Sequence, residues 1–213
     1  MIEIKNITKS YDERKILDDI SINFEEGKIY GIIGQNGSGK SVLLKVMSGF
    51  ITPDQGTIIY DGKDINKEET FPDNTGVLLD NSGFVPNLTG FDNLKLLATI
   101  NKIIDDDEII EELKNVNLLE EKDKKYYKYS LGMRKKLGIC QAIMEHQKYV
   151  ILDEPFSGID KGSLAMIYDY LKKIKSEGRT LIISTHTSDR AKDLYDEIYE
   201  LEEGKLNKID EED

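Results

Sequence analysis

The chain has 213 residues, 41 acidic against 29 basic, and a formal net charge of −12. That length suits one large domain, or a core with an inserted subdomain, burying roughly 70% of the surface its unfolded chain exposes. The acidic balance argues against a protein whose main work is neutralising nucleic-acid phosphates, and no apolar run approaches the ~18 residues of a membrane span.

The start MIEIKNITKS lacks the apolar core of a signal peptide. Cys140 is the single cysteine and sits in the apolar-patterned LGICQAIM; it reads as a small core residue in a reducing compartment. From Met1 to about Phe24 apolar residues alternate, as in an antiparallel side-sheet. The strand-like runs ISINF, KIYGIIG, GTIIY and TGVLL come early. Between about Asn81 and Glu145 the β-branched runs vanish and helical spacing takes over, including DDDEIIEELKNV, whose three aspartates suit the positive end of a helix. Strand patterns return in YVILDE, TLIIST and EIYEL. The alternation predicts an α/β fold with a mainly parallel sheet, residues 1–80 and 146–213 forming the core and 81–145 an inserted helical subdomain. The tail KIDEED reads as a frayed acidic end without a role.

Gly34 to Ser41, GQNGSGKS, fits G-x-x-x-x-G-K-[ST], the phosphate-binding loop. The strand and helix that this motif requires are read on either side, in KIYGII and SVLLKVM. Gly34, Gly37 and Gly39, with Gln35, Asn36 and Ser38 between them, allow successive N–H groups to face an anion. The helix beginning near Lys40 and running through Val42 adds its positive end. Lys40 is placed to reach β- and γ-phosphates, and the Ser41 hydroxyl to ligate Mg²⁺. The core is therefore read as that of a P-loop NTPase.

YVILDE is a buried strand ending in two carboxylates, an expensive arrangement unless the charges meet a cation or water. Asp153 is positioned to hold Mg²⁺ through a water, and Glu154 to polarise an attacking water as general base.

Further motifs narrow the class: YSLGMRKKL precedes YVILDEPFSGID, and STH follows. In this order they resemble the ATP-binding cassette family, the nucleotide-binding subunits of ABC transporters, along essentially the whole chain. The family signature L-S-G-G-Q corresponds to Tyr129, Ser130, Leu131, Gly132 and Met133 here, with leucine and methionine as departures. Ser130 reads by itself as a helix cap through which an anion could be held; the resemblance implies that Ser130 and Gly132 meet the γ-phosphate bound to a second subunit. It also implies that Phe156 to Asp160, FSGID, crosses a dimer interface, that His186 contacts the γ-phosphate and positions water, and that Tyr11 stacks on adenine. His146 lies outside any motif and reads as structural.

The resemblance implies ATP and Mg²⁺ as cofactors and a homodimer or a dimer with a related ATPase subunit. It further implies a separate transmembrane permease, a cytoplasmic location on the inner face of the cell membrane, and no nucleic-acid partner. Phe84, Val85 and Leu88 are candidates for permease contact, with core packing as the alternative. The Y-S-x-G-M form is similar to ATPases of drug, antimicrobial-peptide and bacitracin-type exporters. The alternative is a soluble ATPase of the same type acting on a cytosolic complex, as in iron–sulfur cluster assembly; a binding module without turnover is disfavoured by Glu154 and His186.

Where the family commonly has glutamine as a Mg²⁺ ligand, this chain has Asp80. A carboxylate also coordinates Mg²⁺, but without metal its charge repels nucleotide phosphates. ATP affinity is therefore expected to depend more steeply on Mg²⁺ than in Asp80→Gln. Titration of both proteins tests this, and equal dependence removes the idea.

Overall fold

In the computed structural model, residues 1–68, 70–79, 83–186 and 192–209 are described. Strands β1 (Ile2–Tyr11) and β2 (Arg14–Phe24) form an antiparallel hairpin whose register runs from Ile2 opposite Phe24 to Tyr11 opposite Arg14. The other edge of β1 pairs with β4 (Gln55–Tyr60), which is followed by the short β5 (Lys63–Asp64). The side-sheet expected from the first 24 residues is thus present, and GTIIY joins it in a four-stranded order β2-β1-β4-β5.

The second sheet contains β3 (Ile29–Ile33), β6 (Thr75–Leu78), β7 (Tyr149–Asp153), β8 (Thr180–Thr185), β9 (Glu197–Glu202) and β10 (Lys205–Ile209). Its order is β10-β9-β3-β8-β7-β6, parallel throughout except where β10 turns back on β9. The pattern reading stops at EIYEL and misses β10, because Lys205, Asn207 and Lys208 make it a polar edge strand. Only Lys208 and Ile209 of the tail KIDEED fall within the described residues, and both belong to β10.

Strand period two divides the interior into cores on opposite faces of this sheet. Tyr30, Ile32, Ile151 and Ile182 pack with the side-sheet and with α1 (Lys40–Met47). Ile29, Val150, Leu152, Leu181 and Ile183 pack beneath the helical layer. That layer contains α2 (Gly90–Asn101), α3 (Asp106–Asn115), α4 (Leu131–Ile143) and α5 (Lys161–Ser176). The aspartate run starts α3 as expected: Asp105 accepts from the Asp107 and Glu108 N–H groups, while the Glu108 carboxylate accepts from the Asp105 N–H.

Within the segment 81–145, α4 lies directly on β6 and β7, so it forms part of the sheet's covering layer. Cys140 is fully buried, and burial pushes its thiol well above the usual range, as a core role requires. His146 is held between the Glu108 carboxylate at 3.2 Å and the Arg179 guanidinium at 3.0 Å, a structural arrangement. Phe84, expected on the permease-facing surface, is instead buried edge-to-face on Tyr126 at 5.1 Å. Its large ring finds more apolar contact inward, leaving Val85 exposed and Leu88 half-buried. Among the described residues no helix is long and apolar enough to cross a membrane.

The sheet and α4 pack closely at Gly76, where an added Cβ would fall 1.7 Å from the Ala142 carbonyl oxygen. Neither backbone can yield without disturbing its layer. Gly76→Ala is expected to destabilise the chain by about 2–3 kcal/mol in denaturant unfolding, whereas at Gly162 an added Cβ meets only Asp160 Oδ1, at an ordinary 3.4 Å.

Candidate active site

The phosphate-type loop joins β3 to α1 at the carboxyl ends of the parallel strands, where open α/β sheets place their ligands. Gly39 stands at the N-cap of α1 with φ 108°, a left-handed conformation suited to glycine, and gives this helix no side-chain cap. Helices α2, α3, α4 and α5 are capped by Thr89, Asp105, Ser130 and Asp160 respectively. The leading N–H groups of α1 are therefore left for an anion.

Lys40 is only 5% exposed, and its ammonium donates to the carbonyls of Gly34 at 2.7 Å and Gln35 at 3.1 Å. The Ser38 hydroxyl is buried without a hydrogen-bond partner. Ser41 and Val42 follow in the first turn of α1, both half-buried, while Gln35, Asn36 and Gly37 are exposed at the loop's outer edge.

A recess of about 510 Å³ opens beside the loop. Gln35 to Ser38 form one wall, and Arg14 to Ile16 with the turn between β9 and β10 form the others. Pattern reading missed these other walls, since no motif marks them; the side-sheet brings one near, so that a Cβ on Gly39 would lie 3.0 Å from Ile16 Cγ2, and the β9–β10 turn comes from the other sheet. Tyr11, at the end of β1, is 46% exposed, so its ring has a face to offer.

Across from the loop, β7 delivers its two carboxylates. Asp153 is fully buried; its Oδ1 accepts from the Ser184 hydroxyl at 2.5 Å, and its Oδ2 has no hydrogen-bond partner. Glu154 adopts φ 44° immediately before Pro155, a strained backbone for a non-glycine residue, and its N–H donates to the same Ser184 hydroxyl at 3.0 Å. Its carboxylate lies 3.9 Å from Lys40 Nζ and 3.6 Å from His186 Nδ1. Lys40, Glu154 and His186, distant in sequence, thus converge.

Ser184 is a site residue that sequence reading overlooked. The available signal was that LDE and STH end adjacent strands at the same level, with Asp153 directly opposite Ser184 in register.

Ser130 accepts the Met133 N–H at 3.2 Å and caps α4 as expected. Gly132 is buried, and an added Cβ would sit 2.4 Å from the Gly158 carbonyl oxygen, so the signature helix and FSGID touch within one chain. Asp160 caps α5, accepting from the Ser163 N–H at 2.9 Å and the Ser163 hydroxyl at 2.7 Å. Asp80 lies outside the described residues.

The Asp160 carboxyl is held down at about 2, chiefly by the Ser163 hydroxyl, then by the Ser163 N–H and the Lys136 ammonium. A carboxylate with a depressed folded pKa contributes stability above its unfolded pKa of about 4, and loses it as pH falls through about 2. Asp160→Asn is therefore expected to lower the thermal midpoint near neutrality. Its gap from the parent should close between about pH 4 and pH 2, which thermal melts across that range check.

A family model described as "ABC transporter" matches residues 17–157. An uncharacterized ABC transporter ATP-binding protein of Bacillus subtilis (strain 168) is 39% identical over 206 residues, covering 97% of this chain and 94% of that protein. The bacitracin transport ATP-binding protein of Enterococcus faecalis is 36% identical over 208 residues, covering 97% of this chain and 68% of that one. Among solved structures, a dimeric bacterial ABC transporter cassette aligns with a TM-score of 0.86 at 25% identity, over 97% of this chain and 96% of its own. With its loop, carboxylate strand, capped signature helix and terminal histidine gathered on this fold, the chain belongs to the ABC transporter family, as an ATP-binding subunit.

Proposed function

We propose that this chain is the ATP-hydrolysing engine of an ABC exporter. Two copies, or one copy and a related subunit, close around two Mg-ATP and reopen after hydrolysis. They drive a separate membrane permease from the inner face of the cell membrane. The observation that carries the chemistry is the convergence of Lys40, Glu154 and His186 at α1, which lacks a side-chain cap.

In this reading the free N–H groups of α1 and the Lys40 ammonium bind the phosphate chain, with Lys40 exchanging its loop carbonyls for β- and γ-oxygens. Glu154 accepts the proton of the attacking water, and His186 orients that water against the γ-phosphate. The strained Glu154 backbone, anchored through Ser184, fixes the carboxylate before substrate arrives. Tyr11 stacks on the base, and the recess beside Ile16 takes the sugar end.

The residues fit Mg²⁺: the unpartnered Asp153 Oδ2 is a buried acceptor awaiting a donor such as a metal-bound water. Ser41 and Asp153 would hold the ion, which would supply charge neutralisation at the phosphate chain.

The helix end capped by Ser130 and the exposed Leu131 beside it meet the second subunit's nucleotide, as the dimeric form of the similar cassette suggests. ATP drives closure because it has more contacts in the closed dimer than in either open subunit. Export is favoured by the likeness to the bacitracin transport protein. Val85 is the better permease contact, because it is exposed where Phe84 is core.

Glu154→Gln should lower ATP turnover by at least about a hundredfold and leave an ATP-bound dimer stable on sizing chromatography. Lys40→Ala should instead weaken nucleotide affinity about tenfold or more, measured by equilibrium titration. A Glu154→Gln protein that turns over at the parent rate overturns the assignment of the base. Purification from solubilised membranes should recover a polytopic membrane protein in stoichiometric amount, with less recovered after Val85→Asp. Recovery of soluble partners only would favour a cytosolic assembly ATPase.

A further inference from the structure

Lys136 is 7% exposed and, apart from its charge near Asp160, takes no part in the nucleotide site described above. Its ammonium donates to the Ser163 hydroxyl at 2.7 Å and the Asn117 carbonyl at 3.1 Å, and lies 3.6 Å from Asp160 Oδ2. An ammonium withdrawn from water is costly unless such partners surround it, so their arrangement is specific to a cation. The Asn117 amide also donates to Ser163 Oγ at 3.0 Å, closing the cluster.

The cluster is the last of a row of contacts. Leu131 lies over Gly158, its Cδ2 3.2 Å from where a Gly158 Cβ would be, and Gly132 abuts the Gly158 carbonyl. The Lys135 ammonium donates to the Asp153 carbonyl at 3.1 Å. Gly132, Lys135 and Lys136 stand at i, i+3 and i+4 on one face of α4. That face therefore meets the segment from Asp153 to Asp160, which includes Glu154, along its length.

We propose that Lys136 is a positioning residue that clamps the FSGID segment to the signature helix. The clamp thereby couples the signature helix to the placing of Glu154 in the chain's own site. The clamp is a property of one chain; its role in turnover rests on the ATPase reading above.

The test compares the full chain with Lys136→Met, which keeps length and loses charge, and Lys136→Arg, which restores a cation. Ser163→Ala, which removes only the shared hydroxyl, serves if Lys136→Met does not fold. Hydrogen exchange of the amides from Phe156 to Asp160, without nucleotide, should quicken about tenfold in Lys136→Met and return to within about threefold of the parent in Lys136→Arg. ATP turnover should fall about tenfold in Lys136→Met while the equilibrium affinity of the monomer for ATP changes less than about twofold, with Lys136→Arg again rescued. Unchanged exchange, unchanged turnover, a parallel loss of ATP affinity, or an arginine variant as impaired as the methionine one each overturns the proposal. A parent chain that neither hydrolyses ATP nor dimerises overturns the ATPase reading and the coupling with it, while the exchange rates separately report the clamp.

Discussion

The geometry of the site depends on one buried cation. Lys40 is almost wholly withdrawn from water, and the protein compensates its lost hydration with two carbonyls of its own loop and a carboxylate at 3.9 Å. To aim those carbonyls the loop must turn tightly, which is why glycines punctuate it and why α1 starts from a left-handed Gly39. To bring the carboxylate that close, β7 must end level with β3, and β8 stands between them in the sheet. The parallel sheet is thus the ruler that sets the distance between phosphate grip and general base.

The same sheet divides the labour of its faces. One face carries α1 and the antiparallel sheet, so the edge that roofs the loop is built from strands whose own core is separate from that of the helices. The opposite face carries α4 and α5, whose N-terminal ends are satisfied by Ser130 and Asp160. Helix ends therefore differ in how they are closed. Those of α2 to α5 are closed by their own side chains, and that of α1, beside Lys40, is left to be completed from outside.

Between these two ends runs the strand terminus Asp153–Glu154, held by Ser184 on one side and by Lys135 on the other. Glu154 keeps an unfavourable backbone because its neighbours over-determine it: a following proline, a hydrogen-bonded N–H, and an ammonium and an imidazole within 4 Å. Strain held in this way belongs to a residue whose position matters more than its comfort.

Much of this was legible in the chain itself. Residue type and spacing along a few positions determine a phosphate loop, an acidic strand end, a serine cap and the aspartate run that opens α3, because those features are local hydrogen-bonding chemistry. Period-two runs likewise determined that strands alternate with helices. Which strands pair was decided only by tertiary packing: GTIIY joined the side-sheet, β10 was recruited as a polar edge, and α4 settled onto β6 and β7. Phe84 turned inward, Ser184 came opposite Asp153, and Lys136 found Asp160 for the same reason. An apolar or charged side chain has many admissible partners in sequence, and only long-range burial and register choose among them.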